Sequence, residues 1–192
     1  MSEGKRARNR AARESAILEA ALVVYARDGY SGATMDAIAQ AANLSKPTLY
    51  AYFSTKDALF QAMMASKRDA MLAALDVPPE GGLVGTLYRF AWAYAETVMR
   101  PDMLSLARLV IAEAERQPDV GARYQQAGPD RLLGGLMTWM QAQRSNGQLS
   151  FDDAELAAQD FWGLILSAPR TQALYRPDAL PGRNEIARYL HN

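Results

Sequence analysis

Apolar residues recur at three- and four-residue intervals along most of the chain, and no segment alternates with period two. That pattern predicts an all-α protein of about nine or ten helices. The first helix runs from about Glu14 to Asp28, with Ile17, Leu18, Ala21, Leu22 and Tyr25 as its core face and Gly29 as its stop. A second starts behind Thr34, a good N-cap, with Asp36 in its first turn and Ile38, Ala39 and Ala42 on one face. Asn43 tolerates the left-handed backbone that a helix end often requires, and Leu44 plugs the turn. Ser45 caps a third helix, Pro47 sits in its first turn at little cost, and Leu49 and Phe53 form its buried stripe.

Ser54 is the expected cap of a fourth helix, with Asp57 three residues on, and that helix continues through Met63, Met64 and Met71 to about Leu75. Pro78, Pro79, Gly81 and Gly82 then break the chain. Further helices are expected over about Leu83 to Met99, Asp102 to Glu115 with Asp102 as cap, Asp119 to Ala127 and Asp130 to Ser145. Another is capped within Ser150 to Asp153 and runs to about Ser167, where Pro169 must end or kink it; a last short one covers Asn184 to Leu190. The division expected is residues 1–54 as an N-terminal arm with a three-helix unit and 55–192 as a helical body, with the fourth helix the only physical link between them.

Composition narrows the chemistry. Hydrophobic residues make up 49% of the 192, enough for a sizeable core, and the formal net charge is zero. The charge is unevenly spread: residues 1–13 hold Lys5, Arg6, Arg8, Arg10 and Arg13 against Glu3, a net of +4, so the remainder carries −4. A basic arm on a mildly acidic body suits a protein that touches phosphate at one end. The arm has no apolar periodicity and is expected to be disordered when free; Arg10 and Arg13 would enter a minor groove or rest on phosphates, or the arm is only a solvated terminus. With no cysteine, disulfides and thiolate chemistry are excluded. The one histidine, His191, cannot supply the paired Glu-x-x-His motifs of a di-iron bundle, no metal set is present, and Glu113 and Glu115 face different directions on a helix. No enzyme, cofactor or metal site is expected. No stretch approaches the ~20 apolar residues of a membrane span, so a cytoplasmic location is expected.

Helix, short turn, helix is the geometry that lays a second helix into the major groove of DNA. Lys46, Thr48, Tyr50 and Tyr52 are left off the buried stripe: one cation, one hydroxyl and two phenols, with no carboxylate among them. The same pattern also fits an ordinary helical hairpin with surface tyrosines, or a module that binds protein. In the body, Tyr88, Trp92 and Met99 share one face with Glu96, and Met103, Met137, Met140 and Phe161 add large adaptable side chains. Glu96 among aromatics would anchor a cationic ligand in a pocket. Alternatively these residues are simply core, with Glu96 at the solvent edge.

Thr34, Met35, Ile38, Ala39, Ser45, Thr48, Leu49, Tyr50, Tyr52, Phe53, Lys56, Asp57 and Leu59 follow one another at the spacing of the DNA-binding domain of TetR-family transcriptional repressors, which the chain resembles. Asn43 replaces the usual turn glycine, and Pro47 stands where many members have Gly. The resemblance implies a homodimer that binds a palindromic operator in double-stranded DNA and is released by a small molecule, and the methionine-rich body suits a largely hydrophobic one. It assigns phosphate contacts to Thr34, Tyr50, Tyr52 and Lys56. Lys46 and Thr48 would meet base edges, with Pro47 adding apolar contact and Ser45 at the same helix end. Leu106 to Gln141 looks like one regulatory-domain subgroup of that family. Ala154, Ala158 and Ile165 would then allow close helix approach in the dimer, with Phe161 or Trp162 as anchors. Pro169 and the short final helix depart from the family pattern there. An activator, or a regulator without a ligand, would carry the same features.

Overall fold

A computed structural model describes residues 2–76 and 81–191, and Pro78 and Pro79, the expected break, lie outside them. Ten helices are found among the described residues and no strand. They are α1 (Ser2–Gly32), α2 (Met35–Ala41), α3 (Lys46–Tyr52), α4 (Lys56–Asp76) and α5 (Gly82–Val98). The rest are α6 (Pro101–Ala114), α7 (Pro118–Ala127), α8 (Pro129–Ser145), α9 (Ala154–Tyr175) and α10 (Arg183–His191). None is long and apolar enough to cross a membrane.

Several boundaries move for identifiable reasons. The basic arm is helical and continuous with α1, not disordered. Beyond Gly4 it holds only Ala, Arg, Lys, Asn, Glu and Ser, and extending a nucleated helix costs far less than starting one. Gly29, at φ 72° and ψ 175°, breaks α1 where expected, and one further turn follows it. Pro101, Pro118 and Pro129 lie inside the first turns of their helices, where the missing N–H has no partner to lose. Asp102 is therefore one position inside α6, and its carboxylate accepts from Met103 N at 2.8 Å. Thr55, not Ser54, caps α4, accepting from Ala58 N at 3.0 Å. Asp153 caps α9, which passes through Pro169 to Tyr175 with a kink at Leu166.

The core has two parts. One gathers Ile17, Leu22 and Tyr25 of α1, Ile38 of α2, Leu49 of α3 and Phe60 of α4 with Leu106 and Val110 of α6 and Val120 of α7. The other joins the far end of α4 to α5, α8, α9 and α10 around Phe90, Leu136 and Ala158, with Leu104 of α6 reaching into it. Helices α6 and α7 thus complete the core of the N-terminal unit. The fourth helix is not the sole physical connection, as the sequence pattern suggested. Polar contacts reinforce the junction: Ser31 donates to Glu113 at 2.8 Å, Arg123 pairs with Asp57 at 2.8 Å, and Glu19 meets both Lys67 and Arg100.

Candidate nucleic-acid interface

The α2–turn–α3 unit forms as its local chemistry dictates. Thr34 Oγ1 accepts from Ala37 N at 3.1 Å, and Ser45 Oγ accepts from Thr48 N at 3.3 Å. Asn43 takes φ 53°, the one positive φ outside glycine among the described residues. Leu44 N bonds back to Ala39 O at 2.9 Å, closing the end of α2. Leu49 is fully buried and Phe53 nearly so, which turns Lys46, Pro47, Tyr50 and Ala51 outward. Thr48 and Tyr52 are half-buried, and the Thr48 hydroxyl lies 2.7 Å from that of Ser45.

A carboxylate does stand beside this edge, supplied by the neighbouring helix. Asp36 Oδ1 is 2.7 Å from Lys46 Nζ, both side chains are exposed, and the hydrogen bond raises the lysine's pKa. Lys56 is turned inward. Its ammonium donates to Tyr30 O at 2.8 Å and lies 4.7 Å above the Tyr30 ring. Burial lowers its pKa, with Glu113 acting in the opposite direction. Asp57, expected in the helix cap, instead accepts from Tyr30 and Arg123.

The helical arm adds Arg6 and Asn9 to the Arg10 and Arg13 that the sequence pattern had already singled out. Arg6, Arg10 and Arg13 recur at i, i+4 and i+7, so they share one face. With Asn9 they border a cleft of about 430 Å³ whose other wall is Ala51 and Tyr52 of α3. The Arg10 guanidinium lies 5.7 Å from the centre of the Tyr52 ring. The spacing was readable in the sequence, but it means nothing until the segment is helical.

The expected ligand residues do not converge on one pocket. Met103 is buried in the N-terminal core, and Met99 and Met140 in the other. Met137 is half-buried against the second core. Tyr88 and Phe161 border an open apolar groove of about 500 Å³ with Val84, Leu164 and Tyr189. Trp92, Glu96 and Met99 do come together, bordering a separate cleft of about 410 Å³. Glu96 is no unpaired anchor for a cation: Arg183 lies 3.1 Å from it and 4.8 Å above the Trp92 ring. The expected dimer face also needs correction. Ala158 and Ile165 are buried in the subunit's own core, while Ala154 and Trp162 are half-exposed. The kinked α9 instead turns out Leu156, Gly163 and Leu164, the last 81% exposed.

Comparison with known proteins accords with this architecture. Residues 17–63 match the description "Bacterial regulatory proteins, tetR family", and residues 85–192 match "AefR-like transcriptional repressor, C-terminal domain". The HTH-type transcriptional regulator RutR of Escherichia coli K12 is 40% identical over 72 residues, 38% of this chain and 34% of RutR. The chain thus spans about a third of the length of that curated relative. SrpR of Pseudomonas putida is 25% identical over 150 residues, 78% of this chain and 70% of SrpR. Among solved structures, a TetR-family regulator from Mesorhizobium loti superposes with a TM-score of 0.73 at 27% identity, covering 94% of this chain and 92% of that one. The "Flavonoid-responsive Regulator FrrA" does so at 0.64 and 27%, covering 94% and 92%. With both halves matched and the helix-turn-helix formed, the chain belongs to the TetR family of DNA-binding transcriptional regulators, which are not enzymes.

Proposed function

We propose that the protein is a homodimeric repressor that binds a palindromic operator and is released by a small, largely hydrophobic effector. Residues 1–54 carry the DNA contacts and 55–192 regulate them. The observation that carries this reading is the exposed edge of α3 lying beside the arginine face of α1, with Arg10 over Tyr52. Lys46, Pro47 and Thr48 meet base edges, and Ser45 sets the helix end from which they project. Thr34, Tyr50, Tyr52, Arg10 and Arg13 hold phosphates, joined by Arg6. Lys56 serves by holding the end of α1 in place, because its ammonium is committed to Tyr30 O.

One α3 reads too few base pairs for a useful site, so two copies related by a two-fold axis are required. The outward face of α9, with Leu156, Gly163 and Leu164 beside Trp162 and Ala154, is the surface proposed to join them. The match to a repressor's C-terminal domain and the likeness to a flavonoid-responsive regulator favour repression relieved by a small molecule. Because α6 and α7 share the core of the DNA-binding unit, a ligand that shifts them changes the spacing of the two α3 helices. That spacing must stay near one DNA turn, about 34–36 Å, or a multiple of it.

Footprinting the full-length protein on DNA flanking its own coding sequence tests the proposal. Two protected half-sites related by a two-fold axis, at a whole number of helical turns, are expected. A single unpaired footprint, or protection insensitive to Lys46→Ala and Tyr50→Phe together, would overturn it.

A further inference from the structure

One cleft of the body already holds a cation, and the chain itself supplies it. Trp92 and Glu96 lie four residues apart on one face of α5. The Arg183 guanidinium rests against both, 4.8 Å from the centre of the Trp92 ring and 3.1 Å from Glu96 Oε1. An indole face with a carboxylate beside it is a recognition site for an organic cation. The same residues border the cleft of about 410 Å³, a size within the ~300–1,000 Å³ of small-molecule pockets. Buried Ala95, Met99 and Ile186 give it an apolar side. The other cation in its lining, Arg100, is balanced by Asp102 at 2.7 Å and Glu19 at 3.0 Å, so Glu96 is the carboxylate that the cleft offers.

Arg183 holds this place weakly. It opens α10, where the positive end of the helix dipole opposes a cation. Its side chain is 74% exposed and that of Glu96 52%, so water screens their attraction and keeps the contact with the indole at the weak end of its range. A free cation with an apolar body would add burial against Met99 and Ile186 to the same charge contacts. We propose that this cleft binds a small organic cation of that kind, which displaces Arg183 and takes its place over Trp92 and beside Glu96. An anion fits less well: it would meet Glu96, and would have to part Arg183 or Arg100 from carboxylates already in place. The position also gives a ligand a route to the DNA-binding unit. Arg100 on the cleft wall donates to Glu19 of α1, which in turn pairs with Lys67 of α4. The lining includes no residue of α9, so the cleft does not compete with the surface proposed to join two copies. The inference rests on the reading of the body as an effector domain and names the class of effector.

Three tryptophans give three indole N–H signals in a proton–nitrogen NMR spectrum of the full-length protein, and the one that Trp92→Phe removes belongs to Trp92. Benzamidinium, a planar cation on a ring, is expected to shift that signal saturably, while benzamide, its neutral counterpart, leaves it in place. Arg183→Ala removes the internal competitor and should tighten benzamidinium binding about three- to tenfold, the scale of one exposed cation–π contact and ion pair. Arg183→Gln, which keeps a polar side chain without the charge, should tighten it too. In the Arg183→Ala background, Glu96→Gln should then weaken binding several-fold. Affinity unchanged or lowered in both Arg183 variants would overturn the inference, because Arg183 would then be no stand-in for the ligand. So would an equal shift with benzamide, no effect of Glu96→Gln, or a Trp92 signal unmoved by millimolar benzamidinium. Operator binding measured on the same sample keeps the two questions apart. A protein that binds its operator but ignores benzamidinium sinks this inference alone, and one that binds benzamidinium but no DNA sinks the repressor reading.

Discussion

Lys46 and Lys56 show how differently two lysines of one motif can be used. Lys46 is exposed and held 2.7 Å from Asp36, so any DNA contact it makes must compete with a carboxylate ten residues earlier in the chain. Asp36→Asn should release it. Affinity for non-operator DNA should rise several-fold and the log–log salt slope should steepen by about 0.9, the increment for one more phosphate contact. Titrations at several salt concentrations check this. An unchanged slope would mean that DNA already displaces Asp36 without penalty. Lys56 points inward, onto the carbonyl of Tyr30. Lys56→Met should lower stability by about 1–2 kcal/mol through the lost charge-assisted bond, and leave the salt slope as it was. A phosphate-binding Lys56 would give the reverse: a shallower slope and an unaltered melting temperature.

At the scale of the element, α1 does two jobs. Its later turns bury Ile17, Leu22 and Tyr25, while residues 4–16 are exposed throughout. The first stretch therefore contributes presentation rather than core, holding Arg6 and Arg10 beside Tyr52. A proline at position 11 clashes with the carbonyl four residues back and breaks the helix between the two parts. Ala11→Pro should reduce helical circular dichroism slightly and leave thermal stability intact. It should also weaken DNA binding with a salt slope shallower by about 2, as two phosphate contacts are lost. If operator affinity did not change, the helical arm would have no part in the interface. In α9, by contrast, the proline is the element's own. Ahead of the kink at Leu166, helical phase puts Ala158 and Ile165, seven apart, on the buried face and leaves Leu164 exposed.

For the whole molecule the junction between the DNA-binding unit and the body matters most. Glu19 of α1 bridges Lys67 of α4, itself nearly buried, and Arg100 at the start of α6. Burial by itself pushes the Glu19 carboxyl upward, but the hydrogen bonds and charges of Lys67 and Arg100 outweigh it and hold the pKa below the ordinary value of about 4.5. A carboxylate with a depressed folded-state pKa stabilises fully above its unfolded value, and that stabilisation fades as pH falls through the folded one. Glu19 is about half exposed and screened by water, so Glu19→Gln should cost only about 0.5–1 kcal/mol at pH 7. The gap from wild type should close toward pH 3. Thermal melts across that range decide it, and a gap that stays constant with pH would show that Glu19 acts by packing alone.

Much of this arrangement was readable from the chain. The caps at Thr34 and Ser45, the left-handed Asn43, the glycine break in α1 and the proline kink in α9 are local, settled by a few neighbouring residues and by backbone sterics. The sequence therefore determined the helices, their punctuation and the outward edge of α3. It did not determine what each face meets. Hydrophobic burial has no direction, so an apolar stripe on α9 specifies burial without saying whether its own subunit or a second copy provides the cover. Ala158 and Ile165 went to the former. Ser31 to Glu113, Asp57 to Arg123 and Lys46 to Asp36 join residues from different helices. Only the tertiary structure could decide them, because each depends on where two separately formed helices come to rest against each other.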